Sequence, residues 1–136
     1  MRTSCQPAIV RNAFTLLEMT IVLLVLLVMM RTGLFVFSSM NDWKLGRDAC
    51  ENLRAVYSAQ RMYLADNPTV SVTAIASTDI IPYLPNGATA MPTVKSLTGA
   101  TLSILVNVSP PVINAGSGTT YDPSSSNKDS LWDVGE

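Results

Sequence analysis

The chain of 136 residues contains no histidine. That excludes an imidazole acid/base pair and any metal site built on imidazole ligands. Cysteine is scarce, at Cys5 and Cys50 only, and charged residues make up 14% of the chain with a formal net charge of -1. No basic face for nucleic acid is visible in so balanced a composition. The seven glycines are scattered, none building a phosphate-cradling loop after a strand, and no serine has a histidine to activate it. With no catalytic constellation in view, the sequence is read as that of a non-enzyme.

What the chain does have is apolar residues, 48% of the total, concentrated toward the N-terminus in the run Ala13-Phe14-Thr15-Leu16-Leu17-Glu18-Met19-Thr20-Ile21-Val22-Leu23-Leu24-Val25-Leu26-Leu27-Val28-Met29-Met30. This run is at the short edge of the roughly 20 residues that span a bilayer. Arg31 follows it, and Leu34-Phe35-Val36-Phe37 resumes the apolar character. A guanidinium at that place can snorkel to the far interface, so the pattern predicts a single-pass helix with its N-terminus inside. Glu18 stands out. A charge near the centre of a membrane helix costs about 3 kcal/mol, so a carboxylate within the run calls for a role.

Phe14-Thr15-Leu16-Leu17-Glu18 resembles the start of mature type IV pilins and type II secretion pseudopilins. Members of that superfamily have a short basic leader, a small residue at the cut, Phe as the first mature residue and Glu as the fifth. Here Arg2 and Arg11 supply the leader, and Ala13, Phe14 and Glu18 fill the other places. Most members have Gly where this chain has Ala13, and an uncharged stem where it has Arg31. They also commonly carry a proline near the depth of Gly33, where this chain has none. The resemblance covers about the first third of the chain.

It implies a leader over 1–13, cut between Ala13 and Phe14 by a prepilin peptidase that also N-methylates the new terminus. An ordinary signal cleaved after Val36-Phe37-Ser38 is the alternative, but such a signal has no use for Glu18. Loss of the leader leaves 7 basic and 10 acidic residues, and Cys50 as the only thiol. That thiol is read as a small apolar helix residue, an intermolecular disulfide being the other option. Glu18 is implied to be an assembly residue, its carboxylate neutralised by a neighbour's terminal amine as subunits pack. The partners implied are the chain itself and other pilin-like subunits, an inner-membrane platform with a cytoplasmic ATPase, and an outer-membrane secretin. The expected place is the inner membrane with a periplasmic C-terminal domain, then a periplasmic pseudopilus or an extracellular filament. The competing reading is a membrane-anchored periplasmic binding module that does not polymerise.

Beyond the membrane run, Leu45, Ala49, Leu53, Val56, Tyr57, Gln60, Tyr63 and Leu64 recur at helical spacing, with charges on the other faces. Glu51 and Arg54 are spaced to pair. Asp66-Asn67-Pro68 stops the helix, since the residue before proline is pushed out of helical geometry. The expected helix therefore runs over 14–66. From Asn67 to Ala90 the sequence predicts a loop with short elements, Ile75, Ile80, Ile81, Tyr83 and Leu84 covering the helix stripe and Asn86-Gly87 making a turn. Thr93–Leu97 and Thr101–Val108 flank Thr98-Gly99 and predict one hairpin, ended by Ser109-Pro110-Pro111. The fold class expected is α+β: a long N-terminal helix whose distal half packs on a small antiparallel sheet in a C-terminal domain over 67–136, the pilin-like lollipop.

The tail holds Asp122, Asn127, Asp129 and Asp133 among serines. The preferred reading is a solvated loop pinned by Tyr121 and Trp132, with no cofactor. Calcium is the alternative, because major pseudopilins end in a similar acidic loop that binds it.

Overall fold

The structure is a computed structural model that describes residues 15–116 and 118–135. Helix α1 runs over Leu16–Asp66, and the chain divides into two compact units between Ser38 and Ser39, within that helix. Its end falls where Asn67-Pro68 predicts it. The Asn67 amide N–H and side-chain Nδ2 both donate to the Tyr63 carbonyl, at 2.9 and 3.0 Å, satisfying a group the helix end would leave open.

In the second unit α1 is amphipathic in the manner its spacing predicts. Ala49, Cys50, Leu53, Val56, Ala59 and Gln60 are buried, while Leu45, Tyr63 and Leu64 flank them half-buried. Pairing of Glu51 with Arg54 does not occur. Glu51 pairs with Arg47 across one helical turn at 3.5 Å, and Arg54 is drawn to the tail, where its Nε donates to the Val134 carbonyl. The surface pair contributes only a few tenths of a kcal/mol.

After α1 come short 3-10 turns at Val72–Ala74, Ile81–Tyr83 and Pro85–Gly87, with helix α2 at Ser77–Ile80. They bury Ile75, Ile80 and Leu84 against the α1 stripe, with Ile81 and Tyr83 half-buried beside them. Tyr63 and Tyr83 meet edge to face with centroids 5.8 Å apart, and the Tyr83 hydroxyl donates to Asp66 at 2.9 Å. Asn86 and Gly87 both take positive φ, which forms the turn expected of that pair.

Four two-residue strands follow: β1 (Val94–Lys95), β2 (Thr101–Leu102), β3 (Ile104–Leu105) and β4 (Val112–Ile113). β1 and β2 pair antiparallel, Val94 opposite Leu102, around Gly99 at φ +84. The expected hairpin is therefore present but short. The stretch Thr101–Val108 does not continue as one strand: β3 turns to a different partner, β4, with Ile104 opposite Ile113. The exposed Ser103 lies at the switch, its carbonyl accepting from the Asn114 N–H at 2.9 Å. Ser109-Pro110-Pro111 thus connects two strands instead of ending the sheet, with Pro111 itself buried. Within this stretch Ile104 and Val106 are buried, whereas Val108 is exposed.

Two-stranded ladders of this length are marginal by themselves. Their inward residues Val94, Ile104, Val106 and Ile113 close on Leu53, Val56, Ile80 and Trp132 in one core. Each such side chain contributes about 1.5–3 kcal/mol when fully buried. Gln60 fixes the register of helix against strand: fully buried, its Nε2 donates to the carbonyls of Val106 at 2.8 Å and Val108 at 2.7 Å. Its Oε1 has no partner.

The tail crosses α1 at Gly46. A Cβ there would lie 2.9 Å from Trp132 Nε1 and 3.3 Å from Leu131 Cβ. The glycine is therefore a docking position for the indole. In an exposed helix Gly→Ala gains about 1 kcal/mol, but here Gly46→Ala is expected to destabilise, because the rigid ring must move. Thermal unfolding of the detergent-solubilised chain, followed by near-UV dichroism, should show a lower Tm and a weakened aromatic signal. A raised Tm would contradict the docking.

Candidate functional site

The first unit holds the feature on which function can be argued, the apolar part of α1. Leu16, Leu17, Met19 and every large apolar residue from Ile21 to Met30 are exposed, as are Leu34, Phe37 and Met40. An 18-residue window of mean hydropathy 2.4 has none of its residues buried. By length and composition α1 can cross a membrane.

Two charged side chains interrupt this surface. Glu18 lies in the first turn of α1, exposed, and its backbone N–H is bonded to Thr15 Oγ1 at 3.2 Å. Thr15-Leu16-Leu17-Glu18 has the Thr-x-x-Glu form of a capping box, and a carboxylate in the first turn suits the positive end of the helix dipole. This local role of Thr15 and Glu18 is readable from the spacing, but the apolar context draws attention away from it. Arg31 is exposed on the same helix. Among the described residues neither Glu18 nor Arg31 forms an ion pair. The other two polar side chains between Leu16 and Phe37 serve their own helix: Thr20 donates to the Leu17 carbonyl at 2.7 Å, and Thr32 to those of Met29 and Val28 at 2.9 and 3.3 Å. The helix continues through Gly33. Ala13 and Phe14, the expected processing residues, lie outside the described residues.

A second cluster lies in the tail. Asp122 Oδ1 accepts from the Ser124 and Ser125 N–H groups at 3.1 and 3.2 Å and from the Ser124 hydroxyl at 2.6 Å, while Asp129 Oδ1 accepts from the Leu131 N–H at 3.1 Å. These are loop-building bonds of the Asx kind. Tyr121 and Trp132 meet edge to face, 5.3 Å between centroids, and the Tyr121 hydroxyl accepts from the Leu97 N–H. Both aromatics therefore hold the tail to the domain, the pinning expected of them. Among the described residues no group of three acidic or thiol side chains is placed to hold a metal ion. Cys50 is buried, and burial pushes its thiol pKa up, which keeps it in the unreactive form.

Comparison with family models, with curated proteins and with solved structures finds no match to this chain. The functional reading therefore rests on the chain's own residues.

Asp133 is the strained group of the tail. Its Oδ1 is buried without a partner, and burial first, then the neighbouring Asp122, raise its pKa above the ordinary carboxylate value. A raised acid favours the folded state fully below its unfolded pKa, and the advantage is lost as pH rises through the folded value. Asp133→Asn should therefore stabilise the chain at neutral pH, with a gain that shrinks to nothing once pH falls below 3.8. Urea unfolding of variant and wild type at both ends of that range checks it. An equal gain at both would contradict the assignment.

Proposed function

We propose that the chain is a structural subunit of a type IV pilin-like filament, a pseudopilus that drives type II protein secretion. The observation that carries the proposal is a carboxylate in the first turn of a helix whose apolar surface the rest of the chain leaves uncovered. A helix that served only to anchor a domain would gain a carboxylate at the positive end of its dipole, but lipid cannot satisfy that charge and an uncharged cap would serve as well. The α+β architecture, with short antiparallel strands closing on the distal part of α1, is compatible with the lollipop form such subunits take.

In this reading a prepilin peptidase cuts between Ala13 and Phe14 and methylates the new amine. The chain then waits in the inner membrane with its second unit in the periplasm. An assembly platform and its ATPase lift it into the filament, which works against an outer-membrane secretin. Burial energetics give Glu18 its role. Lipid tails are as apolar as the helix, so hydrophobicity cannot select a neighbouring subunit, whereas a charge that is costly in hydrocarbon and satisfied in the filament favours assembly.

The test separates assembly from helix capping. Glu18→Ala and Glu18→Gln both remove the charge and keep the backbone N–H that Thr15 Oγ1 accepts, and Glu18→Gln also keeps a side chain able to reach back to the Thr15 N–H. Both variants should be inserted and processed like wild type, and both should lose filaments by electron microscopy and by shearing of cells overexpressing the chain. Normal filaments from Glu18→Gln would reduce Glu18 to a capping residue and remove the basis of the proposal.

A further inference from the structure

Glu18 and Arg31 are the only charged side chains between Thr15 and Asn41. They have opposite sign, both are exposed, and neither has an ion-pair partner among the described residues. Thirteen positions of helix separate them, an axial rise of about 20 Å, so no side chains of their length can bridge it within one copy. Rotation over the same interval places them about 140° apart around the axis, on nearly opposite sides of α1.

We propose that Glu18 of one copy pairs with Arg31 of a second copy, the two helices lying parallel and offset by about 20 Å along their axes. This rests on the filament reading above and adds to it a second cation on Glu18, from a different neighbour than the one whose terminal amine the resemblance places there. Charge complementarity selects the occupant. With Thr20 and Thr32 bonded to their own helix, no other polar side chain from Leu16 to Phe37 is free to specify a neighbour. Chains inserted with the same orientation meet parallel, not antiparallel. Since the two charges face opposite sides, a copy that receives a neighbour's Glu18 on its Arg31 still presents its own Glu18 to a third. Such a contact is heterologous and does not close, so it propagates as an open filament. Arg31 is thereby an acceptor site for a second copy, besides lying at the membrane edge.

The experiment keeps both charges. Val22 lies one turn from Glu18, rotated by about +40°, and Leu34 one turn from Arg31, rotated by about -60°, so in a parallel pair both fall on the same flank of the contact within about 2 Å along the axis, and both are exposed. In the full chain with Cys5→Ser and Cys50→Ala, the pair Val22→Cys and Leu34→Cys should oxidise to a ladder of covalent multimers, whereas either cysteine alone should stop at dimers or monomers. Arg31→Glu should abolish the ladder, and adding Glu18→Arg to it should restore the ladder. Filaments that form from the cysteine-pair chain without a ladder would overturn the pairing and leave the filament reading standing. A ladder that survives Arg31→Glu would also overturn it. A wild-type chain that forms no filaments under assembly conditions would remove the filament reading and this contact with it.

Discussion

Along a helix of 51 residues the apolar side chains are exposed over the proximal part and buried over the distal part among the described residues, and the rest of the structure depends on that division. The distal part is closed by the chain itself. Ile75, Ile80 and Leu84 from the loop region, Val94, Ile104, Val106 and Ile113 from the strands, and Trp132 from the tail all meet one stripe. The strands are too short to be stable as ladders, so the helix is as necessary to the sheet as the sheet is to the helix. The proximal part receives no such cover. Its apolar residues need cover from outside the chain, which lipid supplies and which, in the filament proposed, copies of the same helix supply in turn.

Polar groups mark the positions where the packing is specified. Gln60 ties the helix to the segment between β3 and β4 through two carbonyls, and Gly46 leaves room for the Trp132 ring. On the exposed part the proposed counterparts are Glu18 and Arg31. Buried or membrane-embedded charge is a poor source of stability but an effective source of register, because every misaligned neighbour leaves it unsatisfied. That difference explains why so apolar a segment would carry two charges of opposite sign.

Much of this was legible in the sequence. The helix stripe, its stop at Asp66, the Asn86-Gly87 turn and the hairpin around Gly99 all follow from local rules, and the structure has them. The second strand pair was not legible, because Ser109-Pro110-Pro111 reads as a terminator and nothing local reveals that β3 changes partner at Ser103. The meaning of Gly46 was hidden for a different reason: it is set by Trp132, which is remote in sequence. Arg54 likewise pairs with the tail instead of with Glu51, since a distant carbonyl outcompetes a weak surface ion pair. Glu18 was conspicuous within its apolar run, whereas the cap that the Thr15 hydroxyl makes on the Glu18 N–H became clear only with the helix start in place.

The central claim is that the chain is a processed, assembling subunit. Its most direct test is the N-terminus of the protein isolated from native membranes, by intact mass and terminal peptide sequencing. The account predicts a mature chain beginning at N-methylated Phe14. A chain still beginning at Met1, or cut after Ser38, would contradict it and leave an anchored or secreted binding domain.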